Sequence, residues 1–392
     1  MLKEKTVVLG VTGSIAAYKI ANLARMLVKQ HCEVHVLMTQ NATNFINPIT
    51  FETLTKHKCL IDTFDRNFEF SVEHVALAKA ADVVMIAPAS ANVIGKIANG
   101  IADDMLTTTV MACPCKKIVS PAMNHNMFHN PIVQDNIEKL KHYGYEIVEP
   151  AHGMLANGDM GDGRMPDEEL LFEYIVKEIA FEKDMTGKKV LVTAGATVEA
   201  IDPVRFITNH SSGKMGFALA KNAMLRGADV TLVMGKCDSE PPVFVNTVKV
   251  QSAKDMYDAV IERADSMDII VKAAAVADYR PKNVSSEKVK KQDGNMSIEL
   301  ERTDDILKTL GERKNGQFIC GFSMETENML ENSRKKLEKK NCDMIVANNL
   351  KQDGAGFGGN TNIVTLITKD DEVQLEKMTK DEVAEKIFDF IL

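Results

Sequence analysis

The chain has 392 residues, 45% hydrophobic and 26% charged, the composition of a globular protein too long for one ordinary core, so two domains are expected. Its 47 Lys and Arg against 55 Asp and Glu leave a net charge of −8, which argues against a general binder of nucleic acid or acidic membrane. Seven scattered cysteines suit reduced thiols, no second pair joins Cys113 and Cys115 at zinc spacing, and the apolar run over 6–11 is too short for a signal sequence or membrane span, so a cytoplasmic protein is expected.

In chain order, Val7-Val8-Leu9 predicts a buried strand, Gly10-Val11-Thr12-Gly13-Ser14 a turn, and 15–30 a helix. Val34 to Met38 predicts a second strand ending at Thr39, and 81–87 a third. Pro88-Ala89-Ser90-Ala91-Asn92 follows directly. Small residues there let a flat ring or a phosphate approach the backbone, and Ser90 and Asn92 supply hydrogen bonds. Alone, such a loop reads first as a helix cap; beside strands ending in Thr12-Gly13-Ser14 and Thr39 it reads as a cofactor site. His74, just before an apolar helical segment, suits a capping or surface role when taken alone. His125 and His129 are four apart and could share a metal on a helix, but Pro131 and the lack of a third ligand count against that. The segment 153–165 is too glycine-rich for a regular element and is expected to be a mobile flap over a site. An amphipathic helix over 167–180 and a charged linker then put a domain boundary near Met185.

The second half begins the pattern again. Val190 to Val192 predicts a buried strand, a long polar loop follows, and 213–226 has helical spacing. Ser211, Ser212 and Gly213 would lie at that helix's N-terminus, where free N–H groups and the helix dipole attract phosphate. Further strands are expected over 230–235 and 267–273, matching those of the first half. Both halves are therefore expected to be doubly wound, Rossmann-like α/β domains with ligands at the carboxyl ends of parallel strands. Two β-α-β units with no shared function are equally compatible with the repetition. Asp278 sits where a metal–nucleotide complex would bind, although a turn or cap aspartate fits the same position. Lys288, Lys290 and Lys291 form a charge run, ordinarily a solvated face. Lys336 and Lys340, one helical turn apart, could grip one polyphosphate, and Thr379 with Glu382 spells a capping box. A nicotinamide oxidoreductase is disfavoured because neither half carries Gly-x-Gly-x-x-Gly in the right context; a flavin- or nucleotide-sensing module is the non-enzymatic alternative.

Residues 12–19, His74, 88–92 and Pro121-Ala122-Met123-Asn124-His125-Asn126-Met127 resemble the flavin-dependent cysteine decarboxylases. The resemblance implies FMN held by Gly13, Ser14, Thr39, Ala89 and Ser90, an active-site histidine at His74, and a substrate-carboxylate ligand at Asn124. In that family the flap usually carries a cysteine that protonates the late intermediate; the matching position here is Asn157, whose amide is no useful proton donor. The second half resembles the phosphopantothenate–cysteine ligases along its length. That resemblance implies CTP contacts at Asp278, Lys288, Thr303, Asp304, Asp305, Ile306, Phe322, Lys336 and Lys340. It also implies Mg²⁺ at Asp278, Asn209 holding the acyl-cytidylate, and Lys288 assisting its conversion. The pairing resembles the bacterial bifunctional coenzyme A biosynthesis family. It implies a flavodoxin-like FMN-binding decarboxylase domain over 1–185 and a CTP-dependent ligase domain with a parallel-rich sheet over 186–392. The implied substrates are 4′-phosphopantothenate, cysteine and CTP, with no nucleic acid and no membrane. The implied assembly is a homo-oligomer of trimeric flavin domains and dimeric ligase domains, closing as a dodecamer.

Overall fold

The computed structural model describes residues 2–63, 73–154, 158–290, 295–325, 328–349 and 359–392. The chain divides into two compact units, Met1–Glu182 and Lys183–Leu392.

The first unit alternates strands and helices: β1 (Thr6–Val11), α1 (Ala17–Lys29), β2 (Glu33–Met38), α2 (Pro48–Thr55), α3 (Glu73–Ala80), β3 (Val83–Ala89), α4 (Ala91–Ala98) and α5 (Met105–Ala112). It continues with β4 (Lys116–Pro121), α6 (His125–Phe128), α7 (Pro131–His142), β5 (Glu146–Ile147), β6 (Ala151–Met154), β7 (Met160–Arg164) and α8 (Glu168–Ile179). The parallel strands pair in the order β2-β1-β3-β4-β5. This is the flavodoxin-like order, and its topological switch point, where chain connections leave a crevice, lies between β1 and β3. β3 is buried at every position, as its unbroken apolar run requires of a strand covered on both faces. On one face Val84 and Ile86 pack with Val93, Ile94, Leu106 and Val110 of α4 and α5.

The glycine-rich 153–165 does not lack regular structure as expected: β6 and β7 form an antiparallel hairpin on either side of 155–157. Two of its glycines answer to tertiary contacts. A Cβ on Gly163, whose φ is +113°, would lie 2.4 Å from the carbonyl oxygen of Met123, and one on Gly161 would lie 2.8 Å from His125 Nδ1.

The second unit runs β8 (Lys189–Ala194), β9 (Val198–Ala200), β10 (Phe206–Thr208), α9 (Lys214–Leu225), β11 (Asp229–Met234), β12 (Asn246–Lys249), α10 (Ala253–Ala264), β13 (Ile269–Lys272), β14 (Tyr279–Pro281) and β15 (Leu300–Arg302). After these come α11 (Ile306–Arg313), β16 (Phe318–Glu325), α12 (Met329–Lys340), β17 (Met344–Asn349), β18 (Thr361–Asn362), β19 (Val364–Ile367), β20 (Glu372–Gln374), β21 (Met378–Thr379) and α13 (Lys380–Ile391). One eight-stranded sheet has the order β12-β11-β8-β13-β16-β17-β19-β20, parallel through β17 and antiparallel beyond. Its parallel part follows the Rossmann order, with the switch point between β8 and β13. Leu191, Ile270 and Ile319 face α10, α11 and α12 through Val260, Leu307, Leu310 and Leu337. Both units are thus doubly wound α/β folds, as the sequence patterns predict. Among the described residues, no helix is long and apolar enough to cross a membrane.

Candidate functional site

In the first unit the switch point is stitched by Thr12. Its buried Oγ1 donates to the Pro88 carbonyl at 2.7 Å and accepts the Ser90 N–H at 2.9 Å, which locks the loop after β1 to the loop after β3. Gly13 faces the turn after β2 so closely that a Cβ would lie 2.8 Å from Asn41 Cβ. Thr39 Oγ1 accepts the Ala42 N–H at 3.3 Å, and Ser90 Oγ accepts the Val93 N–H at 3.4 Å as the N-cap of α4. Thr39 therefore caps the short 3-10 turn Gln40–Asn44 and Ser90 caps α4, both at the carboxyl end of the sheet, and the buried Ala89 ends β3. The two sequence readings of this loop, helix cap and ligand cradle, coexist in one geometry.

Beside these loops lies a cavity of about 490 Å³, within the size range of small-molecule pockets. Ser14, Ile15, Lys19, Met123, Asn124 and Arg164 are among the residues that line it. Apolar Ile15 and Met123 suit a flat ring, and Lys19 and Arg164 suit an anion; the residues present fit a flavin mononucleotide or a carboxylate substrate. Lys19 Nζ lies 2.7 Å from Asp167, Arg164 lies 3.6 Å from the same carboxylate, and Lys19 holds the Asp167 carboxyl below its ordinary range. Asn124 is the N-cap of α6; its Oδ1 accepts the Asn126 N–H at 2.9 Å, and among the described residues its Nδ2 remains an available donor.

The β6–β7 hairpin is fastened next to Asn124. Met123 N–H donates to the Gly163 carbonyl at 3.0 Å, and Asp162 N–H donates to His125 Nδ1 at 3.1 Å. The Asp162 carboxylate pairs with His152 and His129, each at 2.9 Å, and these two contacts hold its carboxyl below the ordinary range. The third group that His125 and His129 lack in sequence thus comes from the hairpin, with one ligand atom from each of the three residues within 4.8 Å of the others. His74 lies in the first turn of α3, half-buried, and is not among the residues that line the cavity. Asn157 lies outside the described residues.

In the second unit the ends of β8 and β13 are tied together in the same manner. Thr193 Oγ1 accepts the Ala274 N–H at 3.0 Å, Thr197 Oγ1 accepts the Ala277 N–H at 3.0 Å, and Ala275 N–H donates to the Gly195 carbonyl at 2.8 Å. Asn209 Nδ2 reaches the Val276 carbonyl at 3.2 Å. Thr303 Oγ1 donates to the Ala277 carbonyl at 2.6 Å, and its N–H donates to the carbonyl of Asp278 at 3.0 Å. Two residues on, Asp305 caps α11 by accepting the Lys308 N–H at 2.9 Å and pairs with Lys340 of α12. Ile306 is buried behind it, and Lys336 Nζ donates to the Phe322 carbonyl at 2.9 Å. Asp278 and Asp304 are both exposed. Asp278 offers an open carboxylate, the kind of single protein ligand that Mg²⁺ takes alongside nucleotide phosphates.

Fold and hydrogen bonds therefore bring Asn209, Asp278, Thr303, Asp305, Phe322, Lys336 and Lys340 to one end of the sheet. Lys288 sits apart from these contacts on an exposed loop, anchored where Val289 N–H meets Asp202 Oδ2 at 3.1 Å. The residue that sequence reasoning passed over is Lys272, half-buried at the end of β13. Burial, and then the neighbouring Lys336, push its amine down to about 8. The signal was present: a lysine closing the apolar run Ile269-Ile270-Val271 is out of place in a strand covered on both faces.

A family model described as Flavoprotein matches residues 1–180, and one described as DNA/pantothenate metabolism flavoprotein C-terminal domain matches 185–392. The chain is 48% identical over 373 residues to the coenzyme A biosynthesis bifunctional protein CoaBC of Bacillus subtilis (strain 168), covering 94% of this chain and 92% of that protein. It is 42% identical over 393 residues to the protein of the same name from Vibrio cholerae serotype O1, covering 100% and 98%. Among solved structures, a C-terminal domain of CoaBC is 49% identical with a TM-score of 0.46, covering 53% of this chain and 95% of that one.

Proposed function

We propose that this chain, which belongs to the family of bifunctional coenzyme A biosynthesis proteins, makes 4′-phosphopantetheine in two steps, one in each unit. The observation that carries this reading is that a flavoprotein half and a pantothenate-metabolism half, each with a polar site at its sheet's carboxyl end, together span nearly the whole length of the bifunctional relatives.

In the second unit a carboxylate oxygen of 4′-phosphopantothenate attacks the α-phosphorus of CTP, and the bond to the β-phosphate breaks to release pyrophosphate. The amine of cysteine then attacks the acyl carbon and CMP leaves. Activation is needed because a free carboxylate is a poor acyl donor. Lys336 and Lys340 offset the phosphate charge, 303–306 and Phe322 frame the nucleotide, Asn209 holds the acyl-cytidylate, and Lys288 assists its capture. Asp278 would hold Mg²⁺, which neutralises charge on the leaving phosphates.

In the first unit the amide product loses CO₂. Bound FMN supplies the electron sink that a plain cysteine carboxylate lacks. Gly13, Ser14, Thr39, Ala89 and Ser90 would hold it, and Asn124 Nδ2 would donate to the substrate carboxylate. His74 serves as the active-site histidine. Its place outside the cavity's lining is in keeping with flavin sites shared between neighbouring copies in a trimer; dimeric ligase units would close such trimers into a dodecamer.

Mass analysis of the products from 4′-phosphopantothenate, CTP, Mg²⁺ and cysteine tests the reading. The expected products are 4′-phosphopantetheine, CMP, pyrophosphate and CO₂. A colourless protein that forms no amide overturns it.

A further inference from the structure

Lys272 closes β13 in register with Thr193 of β8 and Gly321 of β16, both uncharged. Two residues before it, Ile270 belongs to the core under α10, α11 and α12, and the alternation of a strand puts Lys272 on that same face. The charged groups around its amine are Lys336 and Lys340 of α12, Asp305 at the N-cap of α11, and Asp278 in the loop that follows β13. The two α12 lysines each have a protein acceptor: Lys336 the carbonyl of Phe322, Lys340 the carboxylate of Asp305. Lys272 has no hydrogen-bonded or ion-paired partner among the described residues. A recessed ammonium beside two further lysines, with the Asp305 carboxylate already engaged by Lys340 and Asp278 out at the exposed loop, is unfavourable until an anion arrives.

We propose that Lys272 is a further substrate-binding residue of the second unit, gripping the polyphosphate of the nucleotide from the floor of the site opposite Lys336 and Lys340. The proposal rests on the ligase reading and adds to it a residue with its own signature. The free site keeps Lys272 partly neutral at mildly alkaline pH, because its amine titrates near 8. A bound polyphosphate favours the ammonium, so the protein takes up a proton as the nucleotide enters. The sign is fixed: uptake is greatest just above the free-state pKa and vanishes well below it, where Lys272 is charged in both states.

The test uses the full-length protein, with calorimetric titration of CTP–Mg²⁺ and of inorganic tripolyphosphate in two buffers of different ionisation enthalpy at about pH 8.5, which counts protons. Wild type is expected to take up a fraction of a proton. Lys272→Met should abolish that uptake and weaken CTP binding by about ten- to a hundredfold, the worth of one charge-assisted contact. Lys272→Arg should retain much of the affinity without proton uptake, because a guanidinium stays charged throughout, and it guards against a Met variant that misfolds. Amide formation separates the two readings. Wild type that makes amide, with a folded Lys272→Met that binds CTP and takes up protons equally well, overturns the role of Lys272 and spares the ligase. Wild type that makes no amide but takes up a proton with tripolyphosphate, lost in Lys272→Met, overturns the ligase and keeps Lys272 as an anion holder. Binding of neither anion overturns both.

Discussion

Asp162 and His129 meet at 2.9 Å across 33 residues of chain, and this pair fastens the β6–β7 hairpin to the end of α6, while His152 of β6 takes the other carboxylate oxygen from within the hairpin. The contact joins the hairpin, whose Met154, Gly163 and Arg164 line the cavity, to the short helix that Asn124 caps from the cavity's edge.

Asp162→Asn removes the charge and keeps the shape. Hydrogen exchange across 160–164 should quicken and decarboxylation should slow, while ligation in the other unit is unchanged. Because the two histidines hold the Asp162 carboxyl below its ordinary value of about 3.9, the carboxylate's share of the fastening is lost only as pH falls through the lower, folded-state value. Exchange in the wild-type hairpin that already rises between neutral pH and about 5 would contradict this account.

Asn124→Asp separates capping from catalysis. Aspartate caps a helix as well as asparagine does, so α6 should keep its N-cap bond to Asn126. A carboxylate in place of Nδ2, however, repels the substrate carboxylate. Decarboxylation should be abolished while amide formation persists, both read by product mass. Loss of both activities would point to misfolding.

Gly216 lies where α9 crosses β8, and a Cβ there would fall 2.5 Å from Ala194 Cβ and 2.9 Å from the Thr193 carbonyl oxygen. Neither neighbour is the end of a flexible side chain. Gly216→Ala should therefore destabilise the second unit by about 1–3 kcal/mol through overpacking, despite alanine's better helix propensity. Scanning calorimetry should show a lowered transition for that unit; an unchanged trace would mean that the helix shifts without cost.

The elements most legible in sequence are those whose signal is local. The capping box Thr379–Glu382 is present as spelled, with Glu382 N–H donating to Thr379 Oγ1 at 3.2 Å, and the apolar runs over 7–9, 190–192 and 269–271 lie in buried strands. Lys336 and Lys340 share one helix because their spacing alone puts them one turn apart. The parts that were not legible depend on partners far along the chain. The glycines of 153–165 look like a breaker run, yet Gly161 and Gly163 are small because His125 and Met123 occupy the space a side chain would need. Lys272 was visible as an oddity at a strand end, but its neighbours on α12 are contributed by residues more than sixty positions away, and no spacing rule joins them.

Lys288 supplies the last prediction, through the residue that anchors its loop. Asp202 is buried, and its carboxylate accepts three backbone N–H groups: Val204 at 2.8 Å, Arg205 at 2.7 Å and Val289 at 3.1 Å. The last of these ties down the residue next to Lys288. Burial alone would raise the Asp202 carboxyl; the three N–H donors and Arg205 outweigh it, and the group stays below its ordinary value. Lys288→Gln should slow capture of the activated acyl group by cysteine while leaving the fold intact, since an exposed lysine contributes little to stability. Asp202→Asn should reproduce that defect from a distance. An amide can keep one oxygen on Val204 and Arg205, but its NH₂ cannot accept from Val289, so the loop carrying Lys288 loses its anchor. Both variants should release pyrophosphate from CTP and 4′-phosphopantothenate and be slow only in the cysteine-dependent step. Combining the two changes should then cost little more than either alone, because they act on one contact. In wild type the anchoring should be lost only as pH falls through the depressed Asp202 value, below the range in which ordinary carboxylates titrate. Rapid-quench measurement of amide formation decides the matter: an Asp202→Asn variant that captures cysteine at the wild-type rate, while Lys288→Gln does not, would show that Lys288 reaches the site without this tether.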